Sequence, residues 1–279
     1  MTDDFLNTLG ALKILLRDDD GRFNNTEETN AYLVKASPLY MGGYVLFISR
    51  LNDNPWAKIK ERLASKVGPK WDDFVQPYND PNFVLNFARN MNEHTKMISV
   101  SFPSLDVWKN VRTFIDIGGG NGYIAQKVIQ ENPHLTGIVS DLESLRVAYD
   151  MMVTEDNRER LPFLTLDFFK EDYPKTDAVV YGHILHDWDD QTMKMLINKA
   201  FESLNTDRDT YLIVFDYFFD EQKTILAPLQ KSLSMRVYHH GRQFSFKEVE
   251  RWMTQTGFSE FHVSQFAPTH ADSSPRMLR

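Results

Sequence analysis

From residue 113 onward the apolar positions keep changing period. Short runs in which nearly every position is apolar, TFIDI, LTGIVSD, FLTLDF, DAVVYGHIL, YLIVFDY and FHVSQFAP, alternate with stretches in which apolar residues recur every third or fourth position. Runs so short, rich in β-branched and aromatic residues, predict strands buried on both faces, and the stretches between them predict helices. Examples are Ile124, Val128 and Ile129, then Met193, Leu196, Ile197, Ala200 and Phe201, then Leu226, Leu229, Leu233, Met235 and Tyr238. Ser245 and Glu248 form a capping-box pattern ahead of a further helix that Gly257 closes. Strand and helix in alternation predict a Rossmann-like, doubly wound α/β domain over 106–279.

Residues 1–105 follow a different pattern and are expected to form a mostly helical region. Phe5, Leu9, Leu12, Leu15 and Leu16 fall on one helical face, followed by the turn DDDG, a short segment and a second helix. This order reads as the tail of a partial winged helix. Further on, Tyr40, Tyr44, Phe47, Trp56 and Trp71 are spread over helical segments interrupted by Pro55, Pro69, Pro77 and Pro81. Phe83, Phe87, Met91, His94 and Met97 then make a stripe at helical spacing that serves as core or roofs a ligand pocket.

Composition narrows the function classes. Thirty-one basic residues face 39 acidic ones, for a net charge of −8, with no long Lys/Arg run. Asp18, Asp19, Asp20, Glu27 and Glu28 crowd the place where a winged helix would meet phosphates, so no nucleic-acid partner is expected. There are no cysteines, and hence no disulfides or thiolate metal sites. No signal-like or membrane-spanning apolar stretch is present, which sets the expectation of a cytoplasmic protein without a membrane partner.

The chemistry gathers where the strands end. After Phe114, Ile115, Asp116 and Ile117 come Gly118, Gly119, Gly120 and Gly122, and a helix follows at once: a strand, a glycine turn and a helix N-terminus that make a nucleotide-type corner. Gly120, Gly122 and Ala125 also fit a variant of the dinucleotide fingerprint, so NAD is one reading. Asp116 favours another, because a carboxylate there suits an ammonium group and would repel a pyrophosphate. Asp141, at the end of the next strand, is placed to accept ribose hydroxyls, and Asp167 and Phe168, after the third, to hold and cover an adenine.

The fourth strand runs into His183, His186, Asp187, Trp188, Asp189 and Asp190. A neutral imidazole is the side chain best matched to removing a proton near neutral pH, which makes His186 the candidate base. Asp216, after the fifth strand, is placed to orient it and stabilise its protonated form. Asp189 or Asp190 reads as a helix N-cap. His183, His186 and Asp187 also permit a metal reading, but nothing else supplies a convincing ligand set and no metal is assigned. His183 and Trp188, with Met91, are the expected acceptor contacts.

The order D-x-GGG-x-G, an acid after the second strand, D-F-F, L-H-D-W-x-D and G-R-x-F-S-x-x-E resembles the plant-type class I O-methyltransferases, the caffeate and acetylserotonin O-methyltransferases among them. The resemblance covers nearly the whole chain. It implies a seven-stranded methyltransferase sheet and S-adenosylmethionine held by Asp116, Gly118, Gly120, Asp141, Leu142, Asp167 and Phe168. It also implies methylation of a small aromatic hydroxyl, with His186 as base beside Asp187, and a homodimer where the full N-terminal segment is present. Asp216 and Gln243 stand where the family has two glutamates flanking that histidine, and Leu166 where it has a glycine. Gln243 can hydrogen-bond but cannot stabilise an imidazolium by charge, so a non-catalytic, cofactor-binding relative is the second expectation.

Overall fold

The structure is a computed structural model that describes residues 2–50, 56, 59–64, 75–238, 240–265 and 276–278. Trp71, Pro55, Pro69 and the side chain of Met97, singled out above, lie outside the described residues. The chain divides into two compact units, Met1–Asn52 with Arg89–Lys96, and Asp53–Ala88 with Met97–Arg279.

In the first unit, α1 (Thr2–Ala11) is followed by a hairpin of β1 (Leu15–Arg17) and β2 (Phe23–Asn25), then by α2 (Glu27–Tyr32) and α3 (Gly42–Arg50). Leu15 and Leu16 therefore do not continue the first helix, as their spacing suggested. The helix stops at Ala11, Lys13 turns left-handed at φ 58°, and the chain re-enters as a strand. Thr26 caps α2 through the backbone N–H of Thr29. Glu93, from the middle of a long helix (Pro81–Ser101), accepts the backbone N–H of Tyr44 at 3.0 Å, and the rings of Tyr44 and His94 lie 4.8 Å apart.

The second unit is built on a seven-stranded sheet. Its strands are β3 (Thr113–Ile117), β4 (Thr136–Asp141), β5 (Phe163–Thr165), β6 (Ala178–Gly182), β7 (Tyr211–Asp216), β8 (Val263–Gln265) and β9 (Arg276–Leu278), in the order β5-β4-β3-β6-β7-β9-β8. The first five are parallel; β9 runs antiparallel to both β7 and β8. Alternate residues of the central strands feed two separate cores, as the pleat requires. Phe114, Val139, Ala178, Val180, Ile213 and Phe215 pack on one face, while Ile115, Ile117, Val179, Tyr181, Leu212 and Val214 pack on the other. This is why the strands read as continuous apolar runs. The first face is covered by α4 (Tyr123–Glu131), the second by α5 (Asp190–Ser203) and α6 (Phe246–Thr256). The order reverses at β3, so the loops after β3, β4, β5 and β6 converge at one edge, where open parallel sheets take their ligands.

Candidate active site

The glycine corner is locked to its neighbours through the backbone. Gly118 N–H donates to the Ser140 carbonyl at 2.8 Å, and the Asp141 carboxylate accepts the N–H groups of Gly120 at 2.9 Å and Leu142 at 2.7 Å. Gly120 sits at φ 59°, and a Cβ built on it would meet nothing within 4 Å. Glycine is needed there for its backbone conformation, and the surface it leaves is open for a ligand to approach the chain.

Two carboxylates face that surface without a cation. Burial first, and the neighbouring Asp141 second, push Asp116 up to about 7. Burial pushes Asp141 up to about 6, against the lowering effect of its two backbone hydrogen bonds. Among the described residues no Lys or Arg pairs with either. Such a pair fits a positively charged ligand, and S-adenosylmethionine carries both an ammonium and a sulfonium. The pair would repel the pyrophosphate of NAD.

Beyond β5, Asp167 accepts the backbone N–H of Phe169 at 3.0 Å and pairs with Lys170 at 2.7 Å. Burial raises its pKa, but the lowering by Lys170 and Phe169 outweighs this and leaves a carboxylate in an ordered turn. Phe168 stands edge-on to Trp188, centroids 5.7 Å apart, and Phe169 does the same at 4.8 Å. Trp188 thus packs beside the Asp167 turn. Leu166 is buried in the second core, its backbone N–H on the Asp141 carbonyl at 3.0 Å.

The histidine cluster is fully enclosed. His186, on a single turn (Leu185–Asp187) after β6, places Nδ1 2.7 Å from the Asp216 carboxylate and Nε2 3.5 Å from Asp187 Oδ1. Gln243 Nε2 lies 3.1 Å from both Asp216 Oδ1 and His186 Nδ1, and Asp216 also accepts the backbone N–H of Tyr217 at 2.8 Å. Since Asp216 can only accept, His186 carries its hydrogen on Nδ1 and Gln243 donates its amide N–H to the carboxylate. Burial alone would raise the Asp216 pKa. The positive charge available on His186 and the hydrogen bonds from His183 and His186 win, and hold it well below the usual carboxylate range. His183, His186 and Asp216 each offer a ligand atom within 4.8 Å of the others. The 2.7 Å contact is a hydrogen-bond distance, so these groups hold one another without requiring an ion.

Gln243 is positioned by its own turn. Arg242 donates to Asp190 at 2.9 and 3.0 Å and to Glu248 at 2.8 Å, tying the turn to the starts of α5 and α6. A Cβ on Gly241 would run into the carbonyl of His186. This close approach went unnoticed in the sequence, where Gly241 is one more loop glycine. Tyr78 was missed as well. It lies in the short turn Gln76–Asn79, beside Leu142 and Leu145, where burial, then Asp187, then Asp141 raise its hydroxyl well above the ordinary range, so it stays protonated between the two acids. Nothing in its surrounding residues signalled it. Met91 lies half-buried in the first unit, within Arg89–Lys96.

Comparison with known proteins follows the same lines. The profile of an O-methyltransferase domain matches residues 60–259. The tetracenomycin polyketide synthesis 8-O-methyl transferase TcmO of Streptomyces glaucescens is 26% identical over 94% of this chain and 78% of its own length. The N,N-dimethyltransferase OxyT of Streptomyces rimosus is 28% identical over 95% of this chain and 78% of its own. Among solved structures, human N-acetylserotonin methyltransferase in complex with SAM superposes with a TM-score of 0.83 at 21% identity, covering 100% of this chain and 82% of that one.

Proposed function

The chain belongs to the O-methyltransferase domain family, and from that premise we propose that it moves the methyl group of S-adenosylmethionine to a hydroxyl of a small aromatic acceptor, with His186 as general base. The observation that carries this reading is the 2.7 Å contact of His186 Nδ1 with buried Asp216, which leaves Nε2 as the basic nitrogen. S-adenosylmethionine supplies an electrophilic methyl on a sulfonium. Asp116 and Asp141 would answer its positive charge and ribose, Gly120 would admit it against the backbone, and Asp167 and Phe168 would hold and cover the adenine. His186 Nε2 would take the acceptor's proton, and Asp216 would stabilise the imidazolium that results. The acceptor class is supported by the relatives: TcmO methylates a hydroxyl in polyketide synthesis by its name, and acetylserotonin O-methyltransferase of chicken is 25% identical over 91% of this chain. A homodimer belongs to the same proposal.

A specific observation favours a second reading. The neutral Gln243 beside His186 fits a protein that binds the cofactor without using it. Calorimetry with S-adenosylmethionine, followed by transfer of a labelled methyl group to a panel of phenols and anilines, separates the two. We expect transfer to phenols. His186→Ala should then lower turnover by roughly 10²- to 10⁴-fold with cofactor affinity nearly intact. Binding without transfer to any acceptor supports the second reading; transfer to anilines alone overturns the hydroxyl.

A further inference from the structure

A second imidazole shares the carboxylate that serves the base. His183 follows directly on β6 at φ 56°, in the left-handed region that a residue with a Cβ enters at a cost. The other described non-glycine residues with positive φ, Lys13 and Lys223, are exposed; His183 is buried. Its ring stacks on Tyr217 at 5.8 Å and 27°, stands edge-on to Phe215 at 5.4 Å, and places Nδ1 3.4 Å from Asp216 Oδ1. Asp216 therefore faces four N–H groups: His186 Nδ1, Gln243 Nε2, the Tyr217 backbone and His183.

We propose that His183 is a positioning residue that stays neutral, donates its Nδ1–H to Asp216, and so takes up part of the negative charge that would otherwise favour protonation of His186. A neutral imidazole has one N–H, and a bare Nδ1 lone pair would repel the carboxylate, so the hydrogen belongs on Nδ1. Each donor to a carboxylate stabilises the anion and weakens its pull on any one partner. Among the described residues, the charged and titratable groups around His183 include Asp216, His186, Lys231 and Tyr217. Burial first lowers its pKa, Asp216 opposes, and His186 and Lys231 add to the lowering. Around His186 the groups are Asp216, Asp187 and His183, with neutral Gln243 completing the shell. The effect is to divide the negative charge of Asp216 among four N–H groups, so that less of it falls on His186.

The consequence for transfer rests on His186 being the base, but the claim itself is read from nuclei without turnover. In the full-length protein labelled with ¹⁵N at histidine, with His186→Ala used for assignment, His183 should be neutral at pH 7.5 with its hydrogen on Nδ1. His183→Phe keeps a ring between Phe215 and Tyr217 but loses the donor, and should raise the His186 midpoint by about half a unit to one unit. His183→Asn keeps an N–H close to the same position, tolerates positive φ, and should return the midpoint to the wild-type value. A hydrogen on Nε2 of His183 in the wild type overturns the proposal, as does an unchanged His186 midpoint in a folded His183→Phe protein. Should the Phe variant not fold, the wild-type tautomer decides alone. Failure of methyl transfer with these nuclear results intact would instead count against the catalytic reading.

Discussion

At the residue scale the site turns on how one buried carboxylate is divided. Asp216 accepts from Gln243 at 3.1 Å, and Gln243 also stands 3.1 Å from His186 Nδ1. Gln243→Glu would change charge with almost no change of shape. A carboxylate so close to Asp216 cannot share its ionised state at no cost, so the pair would hold a proton between them or draw one onto His186. The acid limb of kcat/KM for a phenol should therefore move to higher pH by about one to three units, and the gain from ionising the base would appear only above it. An unmoved limb in an active Gln243→Glu enzyme would mean that residue 243 does not face the base in solution.

At the scale of elements, placement depends on the turn that carries Gln243. Gly241 lets the 241–245 segment lie directly on the backbone of His186 and Asp187, and Arg242 fixes it there through Asp190 and Glu248. Gly241→Ala brings a methyl against backbone atoms that cannot yield, so the His186 turn must shift. Turnover should fall by about 10²-fold, the cost of misplacing a reacting group by roughly 1 Å, while S-adenosylhomocysteine, which we propose binds at the corner after β3 and β4, should keep its affinity. Equal losses of both would show that the shift spreads through the sheet. The sheet itself was legible beforehand, because buried parallel strands write themselves as short apolar runs that end in functional residues. The helix starts at Asp189 and Ser245 were legible because capping has a local signature, and both caps are present. Leu15 and Leu16 misled, since a left-handed Lys13 breaks the helix without changing the leucine spacing. Gly241 and Tyr78 escaped because their contacts come from approach across the fold. The three-residue strand β9 is too short to show a period.

At the scale of the whole molecule, the proposed cofactor site would make Asp116 and Asp141 link cofactor binding to proton binding and stability. Both are pushed up from the ordinary carboxylate value, to about 7 and about 6, so between pH 4 and 7 the folded protein without ligand holds protons that the unfolded chain has released. A raised carboxylate favours the fold at low pH, and its contribution declines as pH rises toward the folded-state value. This part of the stability should therefore fall from pH 5 to pH 7.5. Asp141 keeps some contact with solvent, so Asp116 should carry more of the effect. A cation bound beside Asp116, with ribose hydroxyls on Asp141, would favour the ionised forms and drive the protons off. S-adenosylmethionine should then bind more tightly as pH rises from 5.5 to 8, by up to about tenfold per unit for each proton released. Calorimetry in buffers of differing ionisation enthalpy should count those protons. Cofactor at a hundred times its Kd adds about 2.7 kcal/mol to stability, so the rise in Tm at a fixed ligand concentration should grow over the same range. Asp116→Asn should weaken binding and flatten most of this dependence. A Kd for S-adenosylmethionine that stays level from pH 5.5 to 8, with no proton released, would remove the acid pair from the cofactor site and with it the physical reason for the sulfonium cofactor at this corner.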